Sequence, residues 1–297
     1  TRYHCVTGVQ TCALPISLFW AVTSGNTFFA SKSPQENLEL IKRHGIKAIE
    51  TSPAKMKDLL DVAGNHEVTE LKQILVAGSL MTDSLAKQCE QVFGFVPSYL
   101  YGSTEVGAAT VGTFQSDSNN RLGKLVADVD LEIVDEALNS MEPNHVGQIR
   151  YRKSSMPDEY WNSASSHLNG FVDGWFYPGD RGWLDAEGFL YLEGRNDDVV
   201  NAAGNKFNLL TLDLWLQDTA LFDDVASFTY ETPSGSRVGL AFVSANPPEP
   251  HILVQRIQSF LPNLQIGQLL RLSALPRNKM DKVDRNELSK LAEAKHE

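Results

Sequence analysis

The sequence predicts an α/β fold that passes into a β-rich segment and ends in a mixed α+β region. Strand and helix signals alternate up to about Gly112, alternating apolar and polar residues with turn signals follow, and helix and strand patterns both return from Leu209 onward. Strands that alternate with helices are typical of an α/β layer. We therefore expect a largely parallel sheet in the first part of the chain.

The first helix has a complete set of start and stop signals. Ser33 can cap it, Pro34 suits the first helical position, Glu36 completes a capping box, and Gly45 can end it. The elements that follow are a strand at 46–49, a helix at 53–62, a buried strand at 74–77, a helix capped by Thr82 and running to Phe93, and a strand at 96–100.

The β-rich segment has clear strand and hairpin patterns. Residues 129–134 alternate, 147–152 are strand-like, and 183–192 form a predicted hairpin around the turn at 185–188. Beyond Leu209, the Pro-rich residues 247–250 predict a stiff loop, and 252–261 predict an amphipathic helix.

Composition excludes several classes of protein. The 297 residues contain 26 Lys and Arg against 37 Asp and Glu, a net charge of −11, which disfavours nucleic-acid partners and anionic lipid surfaces. There is no run of about 18 apolar residues, so we expect no membrane span. Three cysteines without a CxxC pair exclude a disulfide scaffold and a thiolate zinc site, and the histidines have no metal-binding spacing.

Residues 1–16 differ from the rest. Residues 6–16 back-translate to codons that resemble a common sequencing-adapter oligonucleotide read as an open frame, and polar residues interrupt any signal-peptide core. We expect this segment to be non-native, with native sequence from about Ser17 and Cys89 as the single native cysteine. The alternative is a native strand and turn, and an uninterrupted genomic frame through the segment would decide for it.

The first chemical motif follows the predicted strand at 96–100 and consists of Tyr101, Gly102, Ser103, Thr104 and Glu105. Ligands bind at the carboxyl ends of strands in open α/β sheets. An aromatic ring there can stack on a base, a hydroxyl can bond a phosphate, and a carboxylate can hold Mg²⁺. Alone, the motif also fits an ordinary polar loop.

Two further motifs lie downstream. Asp180 follows a Pro-Gly turn in residues 173–182, and Arg195 opens a run with two aspartates. One carboxylate can accept hydrogen bonds from both hydroxyls of a ribose. The third motif is the turn-rich stretch 275–285, which contains Lys282. Surface turns are the alternative for each motif taken singly.

Together the three motifs, in this order, resemble the adenylate-forming family of acyl-CoA synthetases, peptide-synthetase adenylation domains and luciferases. Residues 76–79 resemble the glycine loop on the adenine side, and the resemblance covers about residues 17–290. It implies the C-terminal part of the large AMP-binding domain at 17–195, with an α/β part at 17–115 and a β-rich part at 116–195. It also implies a small mobile α+β lid domain at 196–297.

The resemblance implies a role for each matching residue. For the nucleotide, Tyr101 stacks on adenine, Gly78, Ser79 and Gly102 line the site, and Asp180 holds the ribose hydroxyls with Arg195 close by. For catalysis, Thr104 contacts the α-phosphate, Glu105 coordinates Mg²⁺, and Lys282 reaches the α-phosphate and the substrate carboxylate. Asp197 is the implied hinge of the lid domain, and Gly204 lines the implied thiol tunnel.

The sequence departs from the family pattern in several places. The upstream phosphate loop of the family is not recognisable, and residues 23–27 are interpreted as a turn before a strand. Asp281 replaces the usual glycine before the lysine, Pro178 replaces a threonine, and Asn201 stands where lysine is common. These changes indicate a divergent branch, and we expect this chain alone not to turn over.

The function implied is that of an AMP-forming acid–thiol ligase. It uses ATP and Mg²⁺ to convert a small-molecule carboxylate to an acyl adenylate, which passes to CoA or to the pantetheine of a carrier protein. The alternatives are a carrier-protein-loading adenylation module and a non-catalytic adenylate-binding homologue. A single native cysteine favours a reducing cytoplasm. The sequence predicts neither the acid nor the oligomeric state.

Overall fold

The computed structural model describes most of the chain: residues 4–7, 21, 23–31, 33–64, 68, 70–118, 120–160, 170–202, 205–219, 221–233, 235–278 and 282–294. Contacts divide it into two compact units, Thr1–Glu193 and Gly194–Glu297. We describe each unit by itself. The sequence-based division lies between residues 195 and 196.

The first unit contains three helices of eleven residues each: α1 (Pro34–His44), α2 (Pro53–Ala63) and α3 (Asp83–Phe93). Each begins at a hydroxyl cap, and the Ser33 side chain accepts from the Glu36 amide at 3.1 Å. Gly45 and Gly94 end α1 and α3 in the left-handed conformation that favours glycine. The three predicted helices are confirmed.

Five parallel strands form one end of the large sheet of this unit: β1 (His4–Thr7), β2 (Thr27–Ala30), β3 (Ala48–Thr51), β4 (Gln73–Ala77) and β5 (Ser98–Ser103). The prediction of a turn before β2 is confirmed. Strand β3 starts two residues later than predicted, because the Ile46 amide donates to Ile41 and completes the end of α1. Strand β1 lies in the segment predicted to be non-native.

The other end of the sheet is antiparallel and contains β6 (Gly107–Thr113), β7 (Arg121–Leu125), β8 (Val129–Val134), β9 (Gly147–Lys153), β10 (Phe171–Val172), β11 (Trp175–Phe176), β12 (Asp180–Leu184) and β13 (Phe189–Arg195). The strand order is β10-β11-β9-β12-β13-β7-β6-β5-β4-β3-β1-β2, with β8 paired to β9. The predicted β-rich segment and its hairpin are confirmed. The parallel order ends earlier than predicted, at β5, because a three-residue turn can join β5 and β6 only as antiparallel neighbours.

The second unit is a small α+β structure. It contains a 3₁₀ turn (Asn196–Asp198), β14 (Val199–Ala202), β15 (Asn205–Asn208), α4 (Leu209–Asp218), β16 (Asp224–Thr232), β17 (Gly235–Val243), α5 (Pro250–Phe260), β18 (Ile266–Arg271) and α6 (Arg285–Glu293). Strands β14 and β15 form a hairpin, and β17 lies between β16 and β18. Helix α5 begins two residues before the prediction, because Pro250 suits the first helical turn.

Two apolar clusters hold the second unit together. Leu212, Leu216 and Ile257 pack with Leu240 in one cluster, and Phe228 packs with Leu270 and Leu288 of α6 in the other. Alternate residues of β17 contribute to the two clusters, since Leu240 belongs to the first and Ala241 to the second. Among the described residues of the whole chain, no helix is long and apolar enough to span a membrane.

Candidate active site

Two neighbouring parallel strands bring the first predicted residues together. Ala77, the last residue of β4, pairs with Leu100 of β5, so Gly78 and Tyr101 lie side by side at the next step. Gly78 has a φ of +91° and is exposed, as is Ser79. A positive φ favours glycine, and the chain turns away from the sheet there. The edge therefore presents an aromatic ring beside an exposed backbone turn.

The prediction that the motif beginning at Tyr101 is a loop is wrong. The motif is the end of strand β5, followed by a tight turn. Tyr101, Gly102 and Ser103 belong to the strand, and Thr104 and Glu105 lie in the turn. A Cβ atom at Gly102 would lie 2.0 Å from the carbonyl oxygen of Gly107, so no larger residue fits there. This close approach of β5 and β6 fixes the turn that presents Thr104 and Glu105.

Asp180 is hydrogen-bonded to Tyr101, although the two residues lie on different strands of the first unit. The Tyr101 hydroxyl donates to Asp180 Oδ2 at 2.8 Å. The Tyr101 ring also meets the Tyr151 ring edge-on, with 6.1 Å between centroids. These contacts orient an aromatic side chain and a carboxylate towards each other, and both side chains remain partly exposed.

Glu105 has a tyrosine partner that was not among the predicted site residues. The Tyr160 hydroxyl donates to Glu105 Oε1. The pKa of Tyr160 is raised to about 12, first by loss of solvation and then by the neighbouring Glu105 carboxylate. Tyr160 also packs edge-on against Phe171, at 5.3 Å between ring centroids. One oxygen of the carboxylate is therefore already bonded to protein.

Two buried hydroxyls complete the cluster. Tyr151 is fully buried, and neither its hydroxyl nor Ser103 Oγ has a hydrogen-bond partner among the described residues. Burial raises the pKa of Tyr151, and the Asp180 and Glu105 carboxylates raise it further, so both carboxylates lie within electrostatic reach. Ser103 lies close enough to lower this pKa, although the two hydroxyls do not meet hydrogen-bond geometry. The sequence carries no signal for Tyr151, which looks like an ordinary strand residue.

In the second unit, Lys282 is exposed on a closed loop. The Asn278 amide donates to the Lys282 carbonyl at 2.8 Å, and the Lys282 amide donates to Asn278 Oδ1 at 3.1 Å. Arg277 pairs with Asp224 of β16 at 2.6 Å. The backbone on both sides of the loop is thus held, while the lysine side chain is exposed.

Arg285 anchors the far side of this loop. It donates to Asp213 of α4 at 2.5 Å and to the carbonyl of Ser227 at 3.0 Å, and it lies 3.5 Å from Asp198. Asp213 also accepts from the Ser227 hydroxyl at 2.6 Å. Burial raises the pKa of Asp213, and Arg285 and Ser227 oppose that shift. Arg285, three positions after Lys282, therefore contacts three other elements: the 3₁₀ turn, α4 and β16.

The remaining predicted residues lie at the start of the second unit. Arg195 and Asp197 are exposed, and the Arg195 carbonyl accepts from Asn208 at 2.8 Å. A Cβ atom at Gly194 would lie 2.2 Å from Asn208 Oδ1, so glycine is required beside this contact. Gly204, the predicted thiol-tunnel residue, and Asp281 lie outside the described residues.

The single carboxylate of Glu105 suits a magnesium ion that is shared with a nucleotide better than a metal centre formed by protein side chains alone. No group of three or more His, Cys, Asp or Glu side chains among the described residues could hold a metal ion. Mg²⁺ is commonly held by one or two carboxylates together with substrate phosphates. Glu105, on an accessible turn, fits that pattern.

The comparisons with known proteins identify the family. The model of the AMP-binding enzyme family matches residues 4–161, more than half of the chain. The chain belongs to this family.

Relatives and solved structures agree with that assignment. The chain is 25% identical to mitochondrial acyl-coenzyme A synthetase ACSM1 of Mus musculus over 286 residues, 90% of this chain and 50% of that protein. Its fold matches O-succinylbenzoate coenzyme A synthetase from Bacillus subtilis in complex with ATP and magnesium (TM-score 0.83, 23% identity, 96% of this chain and 61% of that one). It also matches amide bond synthetase McbA from Marinactinospora thermotolerans (TM-score 0.86, 18% identity, 98% and 63%). The chain spans about half the length of the curated relatives it matches.

Proposed function

We propose that this chain carries the nucleotide-binding residues and the adenylation lysine of an ATP-dependent, AMP-forming acid–thiol ligase. The observation that carries the proposal is the hydrogen bond between Tyr101 and Asp180, residues 79 positions apart. It brings a carboxylate to an aromatic ring whose strand runs beside Gly78, and an adenine and a ribose require such a pair. Membership of the AMP-binding family and the match to a structure holding ATP and magnesium support it.

The nucleotide is bound mainly by the first unit. Tyr101 stacks on the adenine, with Gly78, Ser79 and Gly102 along the same edge. Asp180 accepts hydrogen bonds from both ribose hydroxyls, and Arg195 contributes a cation. The Thr104 hydroxyl donates a hydrogen bond to the α-phosphate, and Glu105 is the protein ligand of Mg²⁺.

The adenylation step brings two anions together. An oxygen of the substrate carboxylate attacks the α-phosphorus of ATP, a new oxygen–phosphorus bond forms, and pyrophosphate leaves. Bound Mg²⁺ offsets the charge of the phosphates. The Lys282 ammonium attracts the carboxylate and the α-phosphate together, which lowers the repulsion between them.

The second step transfers the acyl group. A thiol attacks the carbonyl carbon of the acyl adenylate, AMP leaves, and a thioester remains. In this proposal Asp197 is the hinge that lets the Lys282 segment withdraw, and Gly204 lines the path of the thiol. CoA is the acceptor that the name of the mouse relative favours. The pantetheine of a carrier protein is the alternative.

Pyrophosphate exchange by the whole protein tests the proposal. We expect exchange of label from pyrophosphate into ATP that requires Mg²⁺ and a carboxylic acid. Glu105→Gln should lower it by about 100-fold, because the oxygen ligand loses its charge. Glu136→Gln removes an exposed carboxylate on the turn that follows β8 and is the matched control.

Four outcomes separate the alternatives. Acid-dependent exchange that Glu105→Gln lowers strongly supports the ligase, and exchange unaffected by Glu105→Gln contradicts the magnesium role. AMP binding without any exchange would instead favour a non-catalytic homologue. Thioester formation on a carrier domain, and none on CoA, would favour the carrier-loading module.

A further inference from the structure

The turn that presents Asp180 is attached to strand β9 on both sides. Before the turn, Phe176 of β11 pairs with Tyr151 of β9. After it, Arg181 of β12 pairs with Gln148 of the same strand. Between these two points the chain passes through Pro178 and Gly179, where φ is +80°. Proline at 178 and a positive φ at 179 limit the freedom of the turn.

Arg150 lies on β9 between the two attachment points and holds the middle of this segment. Its Nη1 donates to the Tyr177 hydroxyl at 3.0 Å. Its Nε and Nη2 donate to Glu132 Oε2 at 3.0 and 2.5 Å, and its guanidinium lies 4.6 Å from the centre of the Trp175 ring. Tyr177 is held from its backbone as well, since its amide donates to the Gly170 carbonyl at 2.6 Å.

These contacts use the planar fork of an arginine. The guanidinium donates two hydrogen bonds to the Glu132 carboxylate and one to the Tyr177 phenol, and its face lies over the Trp175 ring. Only 15% of the Arg150 side chain is exposed, so water competes weakly for these bonds. Only two residues, Pro178 and Gly179, separate Tyr177 from Asp180, so a shift of the Tyr177 anchor is passed directly to the carboxylate.

We propose that Arg150 is a positioning residue for ribose recognition, which fixes the Asp180 carboxylate through Tyr177. The inference rests on the proposed role of Asp180 in holding the ribose. A carboxylate that must accept from two hydroxyls at once tolerates little displacement, because hydrogen bonds weaken steeply with distance and angle. Loss of the Arg150–Tyr177 bond therefore lowers the selectivity for ribose over deoxyribose without removing the carboxylate.

Arg152 supplies a matched control on the same strand. It also pairs with a carboxylate of β8, Asp130 at 3.0 Å, and its guanidinium lies 4.3 Å from the same Trp175 ring. Its described contacts do not include Tyr177. Arg152→Met and Arg150→Met thus remove the same charge and the same kind of ring contact. They differ in the bond to Tyr177 and in burial, since 49% of the Arg152 side chain is exposed, so Tyr177→Phe isolates the bond itself.

The experiment measures the affinities of this chain for AMP, 2′-deoxyAMP and 3′-deoxyAMP by calorimetry. We expect the unaltered chain to prefer AMP by about tenfold or more over each deoxy analogue, as for a hydrogen bond to a charged group. Arg150→Met and Tyr177→Phe should lower this preference to about threefold or less. Arg152→Met should keep it. A merely structural role would weaken all three ligands alike.

Two results would overturn the inference. If Arg150→Met and Tyr177→Phe keep the full preference for AMP, Arg150 does not position Asp180, while the ribose role of Asp180 stands. If the unaltered chain does not distinguish AMP from its deoxy analogues, the ribose role fails and this inference fails with it. Should Arg150→Met not fold, as judged by circular dichroism, Tyr177→Phe decides alone because it removes a single hydroxyl.

Discussion

Tyr101 and Asp180 form a 2.8 Å hydrogen bond although their strands are not neighbours in the sheet. Strands β6, β7 and β13 lie between β5, which carries Tyr101, and β12, which Asp180 begins. In a flat sheet four strand spacings would separate the two by about 19 Å. The sheet must therefore curl strongly between them, and that curl creates the concave face on which the two motifs meet.

Removing the Tyr151 hydroxyl should not destabilise the protein. Tyr151→Phe deletes a buried hydroxyl that has no partner among the described residues, so we expect the free energy of unfolding to stay equal or to rise by about 1 kcal/mol. Tyr99→Phe is the matched control. The Tyr99 hydroxyl is buried and accepts from the Met81 amide at 2.9 Å, so its loss should cost about 1–2 kcal/mol.

Urea unfolding of both variants at neutral pH gives this comparison. Equal losses in the two variants would show that the Tyr151 hydroxyl is bonded in solution, contrary to the structure.

The same tyrosines predict a loss of stability at alkaline pH. Burial raises the pKa of Tyr99 and of Tyr151 above the value of about 10 expected in the unfolded chain. A raised pKa in the folded state favours the protonated phenol, so its contribution is complete below pH 10 and is lost as the pH rises further. The loss amounts to about 1.4 kcal/mol per pH unit for each such group.

Urea unfolding measured between about pH 8 and 11.5 checks that the free energy of unfolding falls as the pH rises. The stability of Tyr151→Phe should fall less steeply than that of the unaltered chain above pH 10. Parallel curves would contradict the raised pKa of Tyr151.

Local signals predicted much of the fold. The predicted caps Ser33 and Thr82 each accept a hydrogen bond from an amide three residues on, and Ser52, which was not among the predicted caps, does the same. The curl that joins Tyr101 to Asp180 depends on contacts between distant strands, which no local pattern encodes. For the same reason the sequence did not single out Tyr151 or Arg150, whose importance arises from their tertiary partners.

Arg285 should be a major source of stability in the second unit. Its loss leaves the buried Asp213 carboxylate without its cation, so Arg285→Met should cost about 3 kcal/mol or more. Arg256→Met, on the exposed face of α5, should change stability by less than about 0.5 kcal/mol. Hydrogen–deuterium exchange of the α6 amides, measured in increasing urea, reports the free energy of unfolding of this unit. Equal protection in the two variants would contradict the buried network.

Lys282 should be required for chemistry and not for nucleotide binding. In the whole protein, Lys282→Ala should lower acid-dependent pyrophosphate exchange by about 100-fold, because the cation that offsets two anions is lost. AMP affinity should change by less than about twofold. Lys290→Ala, an exposed lysine of α6, is the control. Unchanged exchange in Lys282→Ala would contradict the catalytic role of Lys282.

Calorimetric titration of AMP into this chain and its Asp180→Asn variant is the most direct test of the nucleotide site. Asparagine keeps an oxygen that can accept from Tyr101 but loses the charge, so we expect AMP affinity to fall by about 10- to 100-fold. Asp173→Asn, an exposed position in the same segment, should bind AMP as the unaltered chain does. Equal AMP affinity in the unaltered chain and in Asp180→Asn would contradict the site formed by Tyr101 and Asp180.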